Sequence, residues 1–172
     1  YFQRYHSKEN VDTSNTMLML SRLYNYNSDK FFDMLNKLFL NDTETPEIKF
    51  DLQVVGKKSV PDAIISQKSF KIVVETKLNG NFEIQQLINH LEQFGNEDIK
   101  VLLTLDPKPM NDEFSESLKY EIDTYNMNHK NEFSTLIKHV HTTFEELIGA
   151  MEEIVDNRDI EILEVLEDYK KY

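Results

Sequence analysis

Two acidic residues and a lysine in the middle of the chain could hold a divalent metal ion. Asp62 follows Pro61, and Glu75 lies thirteen residues further on, two residues before Lys77. Carboxylate oxygens, together with a strand carbonyl such as that of Thr76 and with water, are suitable ligands for Mg²⁺. An ammonium group nearby can orient water or stabilise an oxyanion during phosphodiester hydrolysis. We therefore treat Asp62, Glu75, Thr76 and Lys77 as candidate site residues.

Three short strands are expected to position these residues. The short segments 47–55, 59–66 and 70–77 are separated by the turns 56–58 and 67–69, which predicts an antiparallel meander. Side chains alternate along a strand, so Glu75 and Lys77 should share one face. Asp62, in the preceding strand, should lie within reach of Glu75, because neighbouring strands are only ~5 Å apart.

The remaining pattern predicts an α/β fold. Helices are expected at 14–25, with Thr13 or Ser14 as N-cap, at 29–40 and at 82–94. The apolar run 98–106 then predicts a crossover to a parallel or mixed sheet. Further on we expect a helix, a strand and two terminal helices. We interpret the chain as one domain with three parts: N-terminal helices (1–45), an α/β core (47–140) and an acidic helical tail (143–172).

The string Pro61-Asp62, twelve intervening residues, then Glu75-Thr76-Lys77 resembles the motif of the PD-(D/E)xK nuclease superfamily. The resemblance implies a restriction-endonuclease-like mixed sheet flanked by helices, with helical additions at both ends. It implies Mg²⁺- or Mn²⁺-dependent hydrolysis of DNA, with Asp62, Glu75 and the Thr76 carbonyl as metal ligands and Lys77 assisting.

The same resemblance implies two further site residues. An acidic residue near the first helix points to Glu9 as an additional metal ligand, and polar residues on the helix after the motif point to Gln85 or Gln86, of which we take Gln86 as catalytic. The opening of the chain also resembles uncharacterised bacterial members of the superfamily. We expect a nuclease with a role in bacterial defence or DNA repair, and we name a homodimer or a missing partner domain as candidate partners.

Each candidate residue also has a purely structural interpretation. Asp62 could shape a strand edge, and Glu75 with Lys77 could be a solvated pair of little energetic value. Glu9 could be a solvated charge ahead of the first helix cap, and Gln85 and Gln86 could face solvent. His139 and His141 have a spacing that can bind metal, but His6, His90 and His129 complete no cluster, so the sequence does not favour a zinc site.

Composition excludes several classes of function. The chain has no cysteine, which rules out disulfides, thiolate metal sites and a cysteine nucleophile. Its four glycines are dispersed and form no phosphate-binding loop. No apolar run is long enough to cross a bilayer and no signal-peptide pattern opens the chain, so we expect a soluble, cytoplasmic protein without membrane contact.

The net charge of −12 argues against nucleic-acid binding, which normally needs a basic surface. More than half of the excess lies in the tail, where residues 145–172 hold ten acidic and three basic residues, a net charge of −7. Basic residues near the motif could still contact a phosphate backbone; these are Lys49, Lys57, Lys58, Lys68 and Lys71. Two alternatives remain: an inactive module of the same fold that binds nucleic acid or a protein partner, and an RNA-cleaving nuclease.

Overall fold

The computed structural model describes residues 8–38, 49–53, 59–66 and 70–171. The chain divides into two compact units. The sheet unit, within 47–143, holds the five strands found in the described residues, and the helical unit combines the N-terminal segment with residues 144 onward. The described residues include no helix that is both long and apolar enough to cross a membrane.

The sheet unit is built on a five-stranded mixed sheet in the order β1-β2-β3-β4-β5. Strands β1 (Lys49–Leu52), β2 (Ala63–Ser66) and β3 (Phe70–Thr76) form an antiparallel meander. Strands β4 (Ile99–Asp106) and β5 (Ile137–Thr143) continue the sheet in parallel with β3. The predicted meander and the crossover to a parallel strand are both confirmed.

Two helices cover one face of this sheet. Helix α3 (Ile84–His90), extended by a 3-10 turn (Leu91–Gln93), connects β3 to β4, and α4 (Asp112–Asn128) connects β4 to β5. The face that α3 and α4 cover includes Val73, Leu102 and Ile137, which form a buried cluster with Leu87 and Leu118. Because parallel strands end at the same edge, the carboxyl ends of β3, β4 and β5 lie side by side.

The helical unit contains α1 (Lys8–Tyr26), α2 (Ser28–Leu38), α5 (Phe144–Ile154) and α6 (Ile160–Lys170). Helix α1 contacts α2 and α6, and α2 contacts α5. A buried hydrogen bond of 2.7 Å joins the hydroxyls of Thr16 and Tyr169, and Lys30 forms an ion pair of 2.7 Å with Asp159. The segments expected as N-terminal helices and acidic tail thus belong to the same unit.

The first helix begins earlier than expected. It starts at Lys8, so Thr13 and Ser14 lie inside the helix, and the prediction of either as N-cap is wrong. The buried stripe of α1 includes Val11, Asn15 and Met19 at helical spacing. Because Asn15 is polar, a search for apolar periodicity alone places the start of the helix too late.

Strand β2 is shorter than predicted, beginning at Ala63 instead of residue 59. Pro61 has no N–H to donate to a ladder, which explains why regular pairing with β3 stops there. Asp62 therefore lies just before the strand and not inside it. The pairing of β2 with β1 extends one hydrogen bond further: the Gln53 N–H donates to the Asp62 carbonyl at 2.9 Å.

Candidate active site

Asp62 and Glu75 lie across from each other at the end of the β2–β3 hairpin. Ala63 pairs with Val74, so the same register continued by one residue places Asp62 opposite Glu75. Residues directly opposite in neighbouring strands present their side chains to the same face. The Asp62 carboxylate also accepts a hydrogen bond of 2.8 Å from the Thr76 N–H. The segment that carries Asp62 is therefore hydrogen-bonded directly to the end of β3, next to Glu75.

The Thr76 carbonyl has no ladder donor across from it. In the continued register, Thr76 faces Pro61, and the two residues would form a pair that exchanges both ladder hydrogen bonds. The N–H of Thr76 instead binds Asp62, while Pro61 has no N–H to offer in return. Since the N–H and C=O of a strand residue point the same way, this carbonyl is directed toward the Asp62 side of β3.

Glu75 is buried and surrounded by hydrogen-bond donors. Its residue exposure is only 1 %, and its oxygen Oε1 accepts from Lys77 Nζ at 2.8 Å and from Gln86 Nε2 at 2.6 Å. The other oxygen, Oε2, lies 2.9 Å from Nε2 of His90, whose ring is completely buried. The interpretation of Glu75 and Lys77 as a solvated pair is therefore wrong.

These contacts favour the ionised form of Glu75. Burial opposes ionisation, but hydrogen bonds from His90 and Lys77 outweigh it and hold the pKa of Glu75 below its ordinary value. A carboxylate only accepts hydrogen bonds, so Nε2 of His90 must carry the proton in this contact. The site thus presents a buried negative charge in a fixed orientation.

Of the two glutamines proposed on the helix after the motif, Gln86 reaches the site. Gln85 is exposed and bonds Asn89 one turn further along the helix, at 3.0 Å. Gln86 and His90 are four residues apart on α3, so both side chains lie on the same helix face. His90, which the sequence analysis connected to no cluster, is the residue that was missed; its spacing from Gln86 was the available signal.

Several other candidates belong to the helical unit or fall outside the described residues. Glu9 belongs to the first turn of α1 in the helical unit, not ahead of the helix, and its side chain is not among those described. Lys57, Lys58 and Lys68, as well as the side chain of Lys49, also fall outside the described part.

Lys71 forms contacts near the start of β3, and its assignment to the phosphate-binding surface stays a prediction. Its ammonium forms an ion pair with Glu97 and donates to the Gln93 carbonyl at 2.9 Å. It lies four residues before Glu75, about 13 Å along the strand, at the opposite end of β3.

A second polar group continues from Glu75 across the sheet. The register places Thr104 of β4 beside Glu75, and His141 of β5 beside Thr104. The Thr104 hydroxyl lies 2.9 Å from Nε2 of His139 and 3.0 Å from Nδ1 of His141. The Lys108 carbonyl, 3.0 Å from Nε2 of His141, accepts a hydrogen bond from that nitrogen, and the Thr104 hydroxyl lies between the two histidine rings. Burial, with His141 adding to it, lowers the pKa of His139 to about 4.

Asp106 organises the loop that follows Lys77. It is buried at the end of β4, and its carboxylate accepts from the N–H of Gly80 at 2.6 Å and from that of Lys108 at 2.9 Å. Gly80 has φ +68°, a left-handed conformation that favours glycine. Asp106 therefore ties the loop between β3 and α3 to the loop after β4.

Comparisons with known protein families, curated proteins and solved structures gave no match. Chemically, the described site combines two carboxylates, a carbonyl facing proline, an ammonium group and an amide at the carboxyl end of a buried strand. In the described part of the chain, no group of three or more histidine, aspartate or glutamate residues could hold a metal ion. A metal at this site would therefore rely on two carboxylates, main-chain oxygen and water.

Proposed function

We propose that the chain is a Mg²⁺- or Mn²⁺-dependent nuclease of the restriction-endonuclease-like fold that hydrolyses DNA phosphodiester bonds. The observation that carries the proposal is the grouping of Glu75, Lys77 and Gln86 at the end of β3, with Asp62 opposite Glu75. The meander followed by a helix and a parallel strand is the element order that the motif implies.

The donor set fits a hard divalent cation. Asp62 and Glu75 supply carboxylate oxygens, and the Thr76 carbonyl points to the Asp62 side without a ladder donor. A carboxylate has about four acceptor positions, and three donors bind Glu75: Lys77, Gln86 and His90. Counting only donors from the described residues, one acceptor position of Glu75 remains. Few protein ligands suit Mg²⁺, which usually keeps several waters.

When bound, the metal would activate water and offset the negative charge of the phosphate. The protein's own groups have distinct tasks. Lys77 places a positive charge where the phosphate oxygens gain charge in the transition state. Gln86 fixes Oε1 of Glu75, so that this carboxylate keeps one orientation. Burial of Glu75 keeps bulk water away and strengthens each of these electrostatic interactions.

Cleavage assays with labelled DNA and RNA test the proposal. The full chain is incubated with each substrate in Mg²⁺, in Mn²⁺ and in chelator, as wild type and as Asp62→Asn. We expect metal-dependent DNA cleavage that falls at least about 100-fold in the variant, because a ligand carboxylate is lost. The matched control is Asp98→Asn, an exposed aspartate just before β4 at the other end of the sheet.

Two results would contradict the proposal. The first is the absence of DNA cleavage by the wild-type protein in either metal. The second is equal cleavage by wild type and Asp62→Asn while Asp98→Asn is also unchanged. Cleavage of RNA alone would keep the hydrolytic chemistry and overturn the assignment of DNA as substrate.

A further inference from the structure

A chain of hydrogen bonds runs from Ser59 through His90 to Glu75. The Ser59 hydroxyl lies 2.8 Å from Nδ1 of His90, and Nε2 of the same ring lies 2.9 Å from Oε2 of Glu75. The single hydrogen of the Ser59 hydroxyl can be directed either to this ring or to the Asn89 carbonyl, which lies 3.2 Å away. Both ring nitrogens of His90 thus have a hydrogen-bond partner. The two contacts together fix the orientation of the ring relative to Glu75.

The hydrogen bonds from Ser59 to Glu75 complete a closed series of contacts that includes both acidic residues. Ser59 lies three residues before Asp62 on the segment that leads into β2. Asp62 binds the Thr76 N–H, Thr76 is next to Glu75, and Glu75 returns through His90 to Ser59. Helix α3 therefore joins the segment bearing Asp62 to the strand bearing Glu75, independently of the sheet pairing between them.

The contact between His90 and Glu75 is well placed to hold a carboxylate. Glu75 and His90 are 1 % and 0 % exposed, so water does not compete for their hydrogen bond. The bonds from Lys77 and Gln86 both go to Oε1, and His90 is the donor that holds Oε2. Without His90, Oε2 would lose this hydrogen bond, and the carboxylate would be held by the contacts of Lys77 and Gln86 at Oε1.

We propose that His90 is the positioning residue for Glu75, and that the chain from Ser59 through His90 sets the geometry of the two acidic ligands. The proposal deepens the proposed function and rests on it. His90 touches neither metal nor substrate in this scheme; it acts through Glu75. Loss of such a partner of a ligand typically weakens metal affinity or activity by about 10- to 100-fold.

A matched pair of amide variants tests this role in the full chain. In His90→Gln the amide nitrogen can take the position of Nε2 and donate to Glu75. The shorter amide of His90→Asn can take the place of Nδ1 beside Ser59, but it does not reach Glu75. Mn²⁺ affinity is measured by calorimetry and by the spin-resonance signal of free Mn²⁺, and DNA cleavage is measured beside it. His129→Asn, at the end of α4, is the control.

We expect His90→Gln to bind Mn²⁺ within a few-fold of wild type and His90→Asn to bind about 10- to 100-fold more weakly. Ser59→Ala should weaken binding in the same direction, but less. In the metal-free protein, a slowly exchanging histidine ring N–H should appear in nitrogen-correlated spectra, persist in His129→Asn and vanish in both His90 variants.

Equal Mn²⁺ affinity of the glutamine and asparagine variants would overturn the positioning role, whether both match wild type or both are weakened. Absence of the ring N–H signal in wild type would overturn the contact itself. If wild type shows the signal but binds no Mn²⁺, the proposed metal-dependent function fails, and the positioning of a metal ligand fails with it. If wild type binds Mn²⁺ and the two His90 variants bind it equally well, only the positioning role of His90 is refuted, and the proposed function stands.

Discussion

Removing the Lys77 ammonium should cost stability as well as activity. Lys77→Met keeps much of the side-chain length but takes away the hydrogen bond of 2.8 Å to the buried Glu75 carboxylate. A hydrogen bond to a charged group contributes about 1.5–3 kcal/mol. The Lys77 side chain is 19 % exposed, so some screening applies, and we expect a loss of about 2 kcal/mol. Gln86 and His90 still bind Glu75, so the fold should persist.

A double-mutant cycle isolates this contact. The free energy of unfolding in urea is measured at pH 7 for wild type, Lys77→Met, Glu75→Gln and the double variant. We expect a coupling energy of about 2 kcal/mol between the two positions. Lys138→Met, which changes an exposed lysine on β5, should alter stability by less than about 0.5 kcal/mol. A coupling energy within error of zero would refute the assignment of Lys77 as a partner of buried Glu75.

The coupling should also depend on pH. The folded pKa of Glu75 is lowered, so the ionised carboxylate stabilises the folded state above pH 4.5, the ordinary value. The contribution is lost as the pH falls through the folded pKa.

Turnover of DNA should fall about 10²- to 10³-fold in Lys77→Met, as for other groups that stabilise charge in a transition state. Unchanged turnover in a folded variant would remove Lys77 from the mechanism.

Two further predictions concern other parts of the sheet unit. The pKa of His139 is lowered to about 4, below its ordinary 6.5. As the pH falls, this histidine is therefore protonated in the unfolded chain before it is protonated in the folded protein. The free energy of unfolding should therefore fall by up to about 3 kcal/mol between pH 6.5 and 4. His139→Gln should lose this part of the pH dependence in urea unfolding. An equal pH dependence of stability in wild type and variant would contradict the prediction. Changing Lys57 and Lys58 together to glutamate should weaken binding of unrelated DNA sequences alike and flatten its salt dependence. Unaltered binding and slope would place the DNA surface elsewhere.

Local periodicity was enough to predict most of the elements and the central part of the site. Side chains alternate along an extended strand, so Glu75 and Lys77 had to share a face once residues 70–77 were interpreted as a strand. A short hairpin likewise brings Asp62 close to Glu75. These conclusions depend on backbone geometry over a few residues, which any strand of this composition would adopt.

Other features could only be seen in the folded sheet unit. The helical period puts Gln86 and His90 on one face of α3, but the packing of Leu87 and Leu91 against the sheet decides that this end of the helix approaches Glu75. The burial of His90 and the engagement of Lys71 by Glu97 follow from the same packing. Sequence spacing specifies which side chains share a face; which faces meet, and which charges lose their water, depends on contacts between residues far apart in the chain.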